Sequence, residues 1–328
     1  MKRREFIALL GGAAALWPAA APAQDAGRIF RLGMMLPFPR EARESLGTID
    51  AVVDELRRNG FVEGQNLAIE FRPWAPHLDL ISEYAADLAA RPLDVIAVGG
   101  PVAVRALQKA TKIIPILAIT DDMIGEDVVK SMARPDGNTT GVSILATELD
   151  GKRQEILIEV VPGVRRIAAL ADVHSTAPAQ LEALQREAKT RNIELSIQRV
   201  DKAAEIPGAL EAVKASGAAA LNVLASPMLH SNYQVILERV AALRLPAMFQ
   251  WPEIAEDGGF VAYGPRFMGI FRGLYARQLV QLLRGVKVAD IPVEQPSKFE
   301  LAINLKTANA MGVTVPAAIV ARADKLIE

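Results

Sequence analysis

Two carboxylates, Asp121 and Glu253, each stand just past an apolar run, where an acid can meet a cationic group such as an ammonium of a small molecule. Each also reads as a helix cap or a surface acid. Between residues 94 and 104 the sequence DVIAVGGPVAV describes a strand that ends on Gly99-Gly100-Pro101 and turns directly into a helix. Paired glycines let a ligand approach the backbone, and a helix start offers N–H groups and a positive dipole end to an anion. Pro101 suits the first helical position but removes one donor. A carboxylate fits such a start better than a phosphate, because the lysine and dense glycines of a phosphate loop are missing; a tight turn without a ligand is the other reading. Trp251, beside Pro252, either covers a ligand or packs under a loop, and His174 and Ser226 carry groups that can orient one.

Other chemistries lack their residues. No G-x-S-x-G elbow, phosphate loop or G-x-G-x-x-G fingerprint occurs. Cysteine is absent, and His77, His174 and His230 are scattered without ligand spacing, so neither a metal nor a cofactor is expected. An enzyme built on strand-end carboxylates would need a catalytic set that the chain does not display. With 37 basic and 38 acidic residues and no basic run, nucleic acid is not an expected partner.

The elements that must position these residues alternate. The chain has 328 residues, 51% hydrophobic and only 5% aromatic, a composition suited to helices packed on parallel sheets. Strands are expected near 29–36, in NLAIEFR, in LDVIAVG and in IIPILAIT, with helices between them, the first over 42–59. The stretch ARPDGNTTGVSIL, 133–145, rich in Pro, Gly, Asn and Thr, reads as a crossover between domains. A second αβ run follows, through RIAALAD, IELSIQRV, AALNVLA and PAMFQ; GGFVAYGP then precedes an amphipathic helix over 268–284. The fold class is α/β, two lobes with parallel sheets. Ligands of such sheets sit at the carboxyl ends of strands, which brings Met35, Pro37, Thr120 and Ser143 into the candidate set beside those above. Exposed charges such as Arg57-Arg58 and Lys152-Arg153 read as solvated helix faces.

The first 23 residues carry a basic start (Lys2, Arg3, Arg4), an apolar stretch from Phe6 to Trp17 and an A-x-A site at Ala21-Pro22-Ala23. This is the pattern of an export signal cleaved after Ala23, and Arg3-Arg4 gives it a twin-arginine look, with general secretion as the alternative route. Removal of residues 1–23 leaves 34 basic against 37 acidic residues, a charge of -3 on a periplasmic protein.

Four stretches, ELRRNGFVEGQN (55–66), SMARPDGNTTGVS (131–143), DGGFVAYG (257–264) and PVEQPSKFELAINLKTANAMGVTVP (292–316), resemble the TrpX-like family of ABC transporter substrate-binding proteins, in order through nearly all of 28–328. The resemblance implies a type I periplasmic binding protein: two Rossmann-like lobes, 28–143 plus 262–290 and 144–261 plus 291–328, joined by three crossovers. It implies an amino-acid-like or aromatic ligand, hinge closure, and a membrane permease with a cytoplasmic ATPase as partners of a monomer. A sensory protein that presents its ligand to a receptor fits the same pattern. The family often places a hydroxyl residue after the glycine ending the third strand and Asp-Pro after the fourth. Here Gly100-Pro101 and Asp121-Asp122-Met123 stand there, so one expected donor for a carboxylate is missing.

Overall fold

In the computed structural model, which describes residues 27–37, 39–40, 43–74 and 77–328, the apolar runs pair into two sheets. The first contains β1 (Phe30–Leu36), β2 (Leu67–Pro73), β3 (Val95–Gly99), β4 (Ile116–Thr120) and β5 (Thr139–Ser143), in the order β2-β1-β3-β4-β5, every pair parallel. All residues of β3 and β4 are buried because helices cover both faces. The two-residue period divides them: Val95 and Ala97 meet Ile49, Val52 and Leu56 of α1 (Arg43–Arg58), while Ile96 and Val98 face Ile81, Ala85 and Leu88 of α2 (Ile81–Ala89) and Val104 and Leu107 of α3 (Pro101–Ala110).

The second sheet contains β6 (Arg166–Asp172), β7 (Glu194–Val200), β8 (Ala220–Val223), β9 (Ala247–Phe249), β10 (Val261–Gly264), β11 (Glu300–Asn304) and β12 (Lys325–Ile327). Its order is β12-β11-β10-β9-β8-β6-β7, parallel throughout except where β10 meets β11. Helix α4 (Ala146–Val160) leads into it from the first sheet, and α5 (Pro178–Thr190), α6 (Ile206–Ala215), α7 (Pro227–Ser231), α8 (Tyr233–Ala242) and α9 (Pro252–Glu256) connect its parallel strands.

The chain passes between the two lobes three times. It leaves the first sheet after Ser143, leaves the second after Gly264, and returns between Glu294 and Glu300. The Thr-rich stretch read as a crossover contributes β5 itself, whose residues are all buried. Its free edge is covered by the returning segment: Glu294 donates its N–H to the Gly141 carbonyl (3.0 Å) and accepts from Ser143 (2.9 Å). Gly264 permits the second passage, since a Cβ there would lie 2.0 Å from the Gln250 carbonyl oxygen.

The long amphipathic helix forms in three parts: α10 (Phe267–Gly269), a π-helical turn (Ile270–Tyr275) and α11 (Ala276–Leu283). The wider turn stacks Phe267, Phe271 and Tyr275 along one face, with ring centroids 4.9 and 5.5 Å apart. The Tyr275 hydroxyl donates to the Leu117 carbonyl at 3.0 Å, which fastens this helix to the first sheet.

Arg57 and Arg58 are exposed and pair with Asp54 and Glu55. Arg153 is not a solvated charge: it is 1% exposed and packs inside the second lobe. The export segment 1–23 and its Ala23 cleavage site lie outside the described residues. Among the described residues, no helix is long and apolar enough to cross a membrane and no cluster of His, Cys, Asp and Glu could hold a metal.

Candidate functional site

The carboxyl ends of both sheets face one another across a cavity of about 90 Å³. The first lobe supplies Leu36 and Pro37 after β1, Thr48 and Ile49 of α1, Gly99, Gly100 and Pro101 at the turn into α3, and Ile119, Thr120 and Asp121 at the end of β4. From the second come Ser226, Pro227 and His230 at α7, and Gln250 and Trp251 after β9. Phe267 and Phe271, on the helix that crosses back, close the side. The Pro37, Gly99, Gly100, Pro101, Thr120, Asp121, Ser226 and Trp251 of the sequence reading thus meet on one wall or the other.

Four residues of that reading lie elsewhere. Met35 is fully buried in the core beneath α2 and α3, because adjacent strand residues face opposite ways and Leu36 takes the cavity side. Ser143 is 1% exposed and its hydroxyl accepts from the Met123 N–H at 3.2 Å; Ile144 lines the cavity instead. His174 turns outward, half-exposed, to Asp201 at 2.8 Å. Glu253 sits off the lining on α9, near the backbone of Phe267 and Met268, where burial raises its carboxyl above the usual range. Its position two residues into the helix from Trp251 rotates it by more than half a turn from that side chain.

The strained corner is Gly100, at φ +86°, where a Cβ would come within 2.9 Å of the Trp74 ring. Its N–H is already given to the Ile119 carbonyl at 2.9 Å. Ser226 is the N-cap of α7: its hydroxyl accepts from the Leu229 N–H (3.2 Å) and donates to Asp172 (2.6 Å), so it is occupied.

An aromatic wall, missed in the sequence apart from Trp251, forms where the lobes meet, with Trp251 and His230 from the second lobe and Phe267 and Phe271 from the helix fastened to the first. The Trp251 and Phe267 rings meet edge-on at 4.8 Å, and His230 lies 4.6 Å from Phe267. Burial pushes His230 down to about 4, so its imidazole is neutral. The spacing of Phe267 and Phe271, four apart on one helix face, was the available signal for this wall.

Asp121 is the acid of the lining. Protein surrounds it in depth, and its remaining exposure opens to the cavity. That burial, reinforced by Glu126, Asp150 and Asp172 and opposed by Arg153, pushes its carboxyl up to about 8. It accepts no hydrogen bond among the described residues. Glu126, beside it, is raised to about 7, chiefly by burial. Below the cavity Arg153 donates to Asp150 at 2.6 Å and to the Tyr263 carbonyl at 2.8 Å, and Gln180 also donates to Asp150.

A family described as ABC transporter substrate binding protein matches residues 42–327. A tyrosine-binding protein of Clostridioides difficile (strain R20291) is 23% identical over 287 residues, 85% of this chain and 79% of that protein. An ABC domain from Streptococcus pneumonia, solved in complex with L-Trp, superimposes with a TM-score of 0.80 at 22% identity over 91% of this chain and all of that one. The ligand-free, open structure of a substrate-binding protein with adhesive properties from Clostridium difficile gives a TM-score of 0.61 at 19% identity, over 91% of this chain and 99% of that one.

Proposed function

We propose, for a chain that belongs to the ABC transporter substrate-binding proteins and has their type I periplasmic binding fold, that it captures a small aromatic molecule of the amino-acid class between its lobes. Membership is of a non-catalytic transport class, and it implies a small-molecule ligand and an ABC permease with its ATPase. The single observation that carries the ligand reading is a cavity that joins the aromatic rings of Trp251, Phe267, Phe271 and His230 to Asp121 on one lining. A ligand of this class carries an ammonium, a carboxylate or both, and the tyrosine-binding and L-Trp-bound relatives support the ring. TrpX-like is the finer identity that this ligand would give the chain.

Closure of the lobes does the work. A volume of about 90 Å³ is below the roughly 150 Å³ of a protein cavity that admits benzene. A ring therefore needs a wider cleft than this form offers, and a change in the angle between the lobes, absorbed by the three passages, would supply it. Because both lobes contact the ligand, its affinity for the closed form exceeds that for the open one and shifts the balance toward closure. The closed form docks on the permease. The protein acts as a periplasmic monomer, exported by the 1–23 signal and cleaved after Ala23.

A thermal-shift screen of refolded protein against aromatic amino acids, aromatic amines and aromatic acids tests this. A ligand at a hundred times its Kd raises stability by about 2.7 kcal/mol. No shift with any ring-bearing compound, beside a shift with an aliphatic one, would overturn the aromatic reading.

A further inference from the structure

The chemistry of the lining chooses between the two ends of an amino acid. No Lys or Arg side chain lines the cavity among the described residues. The nearest buried guanidinium, Arg153, is committed to Asp150 and Tyr263. The helix starts withhold their first backbone donors as well. Three helices start at the cleft, and each begins with proline: Pro101, Pro227 and Pro252. Proline has no N–H, the Gly100 N–H is bonded to Ile119, and the Leu229 N–H is bonded to Ser226. Val102 and Ala103, whose N–H groups come next in α3, are not on the lining. A helix start that elsewhere binds anions is here an apolar lip.

Acceptors are not withheld. Asp121 presents a carboxyl without a hydrogen-bond partner among the described residues, and the charged groups around it are Glu126, Asp150, Asp172 and the single cation Arg153. Asp172 is satisfied by neutral donors, the hydroxyls of Ser226 and Ser175 and the N–H of His174. An independent observation stands on the other lobe. Gln250 is 92% buried (8% exposed), lines the same cavity, and its amide makes no hydrogen bond among the described residues. Its amide atoms keep exposure toward the cavity, where a ligand can bond them.

We infer that the cleft selects an aromatic amine that lacks a carboxylate, with its ammonium on Asp121, its ring against Trp251 and Phe267, and a polar ring substituent or the amine itself bonded to Gln250. This rests on the reading of the cleft as an aromatic binding site and narrows it. An added carboxylate would find no cation on the lining and only neutral donors, the Trp251 indole N–H, the Thr120 hydroxyl and the Gln250 amide, to meet its charge.

Calorimetry of the purified protein with two matched series decides the matter: tyramine, L-tyrosine and 4-hydroxyphenylacetate; tryptamine, L-tryptophan and indole-3-acetate. The expected result is an amine bound at least ~10-fold tighter than its amino acid, with the acid weakest. Asp121→Asn should weaken the amine by ~10-fold or more, and Gln250→Leu, on the opposite lobe, by a smaller factor of about 3 to 10. An amino acid bound as tightly as its amine, or an amine indifferent to both substitutions, overturns the inference and leaves the aromatic carrier standing. Silence of all six compounds overturns both.

Discussion

Replacing Arg153 by Met should unfold more than its single charge suggests. The side chain is 1% exposed and Asp150 is fully buried, so the substitution leaves a carboxylate in the interior with only Gln180 and nearby backbone to hold it, and strips the Tyr263 carbonyl of its donor. Burial already raises the Asp150 carboxyl despite Arg153, which measures how poorly the site tolerates charge. Breaking a buried pair from one side costs about 3–5 kcal/mol. At about 2–4 °C per kcal/mol for a folding unit of this size, the melting midpoint should drop by roughly 6–20 °C. Asp150→Asn combined with Arg153→Met leaves no unpaired charge and should recover most of the loss. Denaturant titration of the two single variants and the double variant gives the coupling directly. The same change removes the cation that opposes the rise of Asp121, so the Asp121 carboxyl should titrate above its present value of about 8 in a carboxyl-resolved NMR titration. A loss under about 1 kcal/mol, or a double variant no better than Arg153→Met alone, would refute the account of this network.

Gly100→Ala should destabilise by about 1–3 kcal/mol, because it combines a positive φ with a contact 2.9 Å from Trp74; an unchanged urea midpoint would count against the strained corner. His230 stays neutral down to about 4 in the folded chain, whereas an unfolded histidine takes up a proton near 6.5. Its stability contribution is therefore complete above 6.5 and lost as pH falls toward 4, by up to about 3 kcal/mol, and His230→Gln should flatten that part of a pH-stability curve. Asp121 holds a proton below about 8 and must release it to receive an ammonium, so the Kd for tyramine should tighten from pH 6 to 8, by at most ~10-fold per unit; a flat profile would remove Asp121 from the contact. Among the tryptophans, Trp251 lines the cavity, so ligand-induced fluorescence changes should persist in a variant with Trp74→Phe and vanish with Trp251→Phe.

Periodicity made the fold legible. Continuous runs such as VIAVG announce strands covered on both sides, and their alternation with amphipathic helices allows little else. The rule that ligands sit at strand ends located Gly99 to Pro101, Asp121, Ser226 and Trp251, since it depends only on where strands stop. It cannot say which way a side chain turns. Met35 and Leu36 differ by one residue and face opposite cores, and Glu253 follows Trp251 by two residues yet turns off the cavity. Arg153 was hidden for a related reason: beside Lys152 it looks like a charged helix face, and its burial follows from a strand end, Tyr263, 110 residues later. Gln250 and Phe271 become cavity residues through the packing of one lobe on the other, a long-range fact that local pattern does not carry.

The returning segment that covers β5 also bears on the proposed hinge. Glu294 bonds to both Gly141 and Ser143, so the outgoing and returning chains run side by side as a short ribbon where they leave the first lobe. The hydrogen bonds of such a ribbon hold its two chains together, and two-stranded ribbons take up larger twists than wide sheets do. Two of the three connections between the lobes are thus paired with one another, and the passage after Gly264 stands apart. In the proposed closure, a rotation about this ribbon would return Trp251 and His230 to the same face of Asp121 each time.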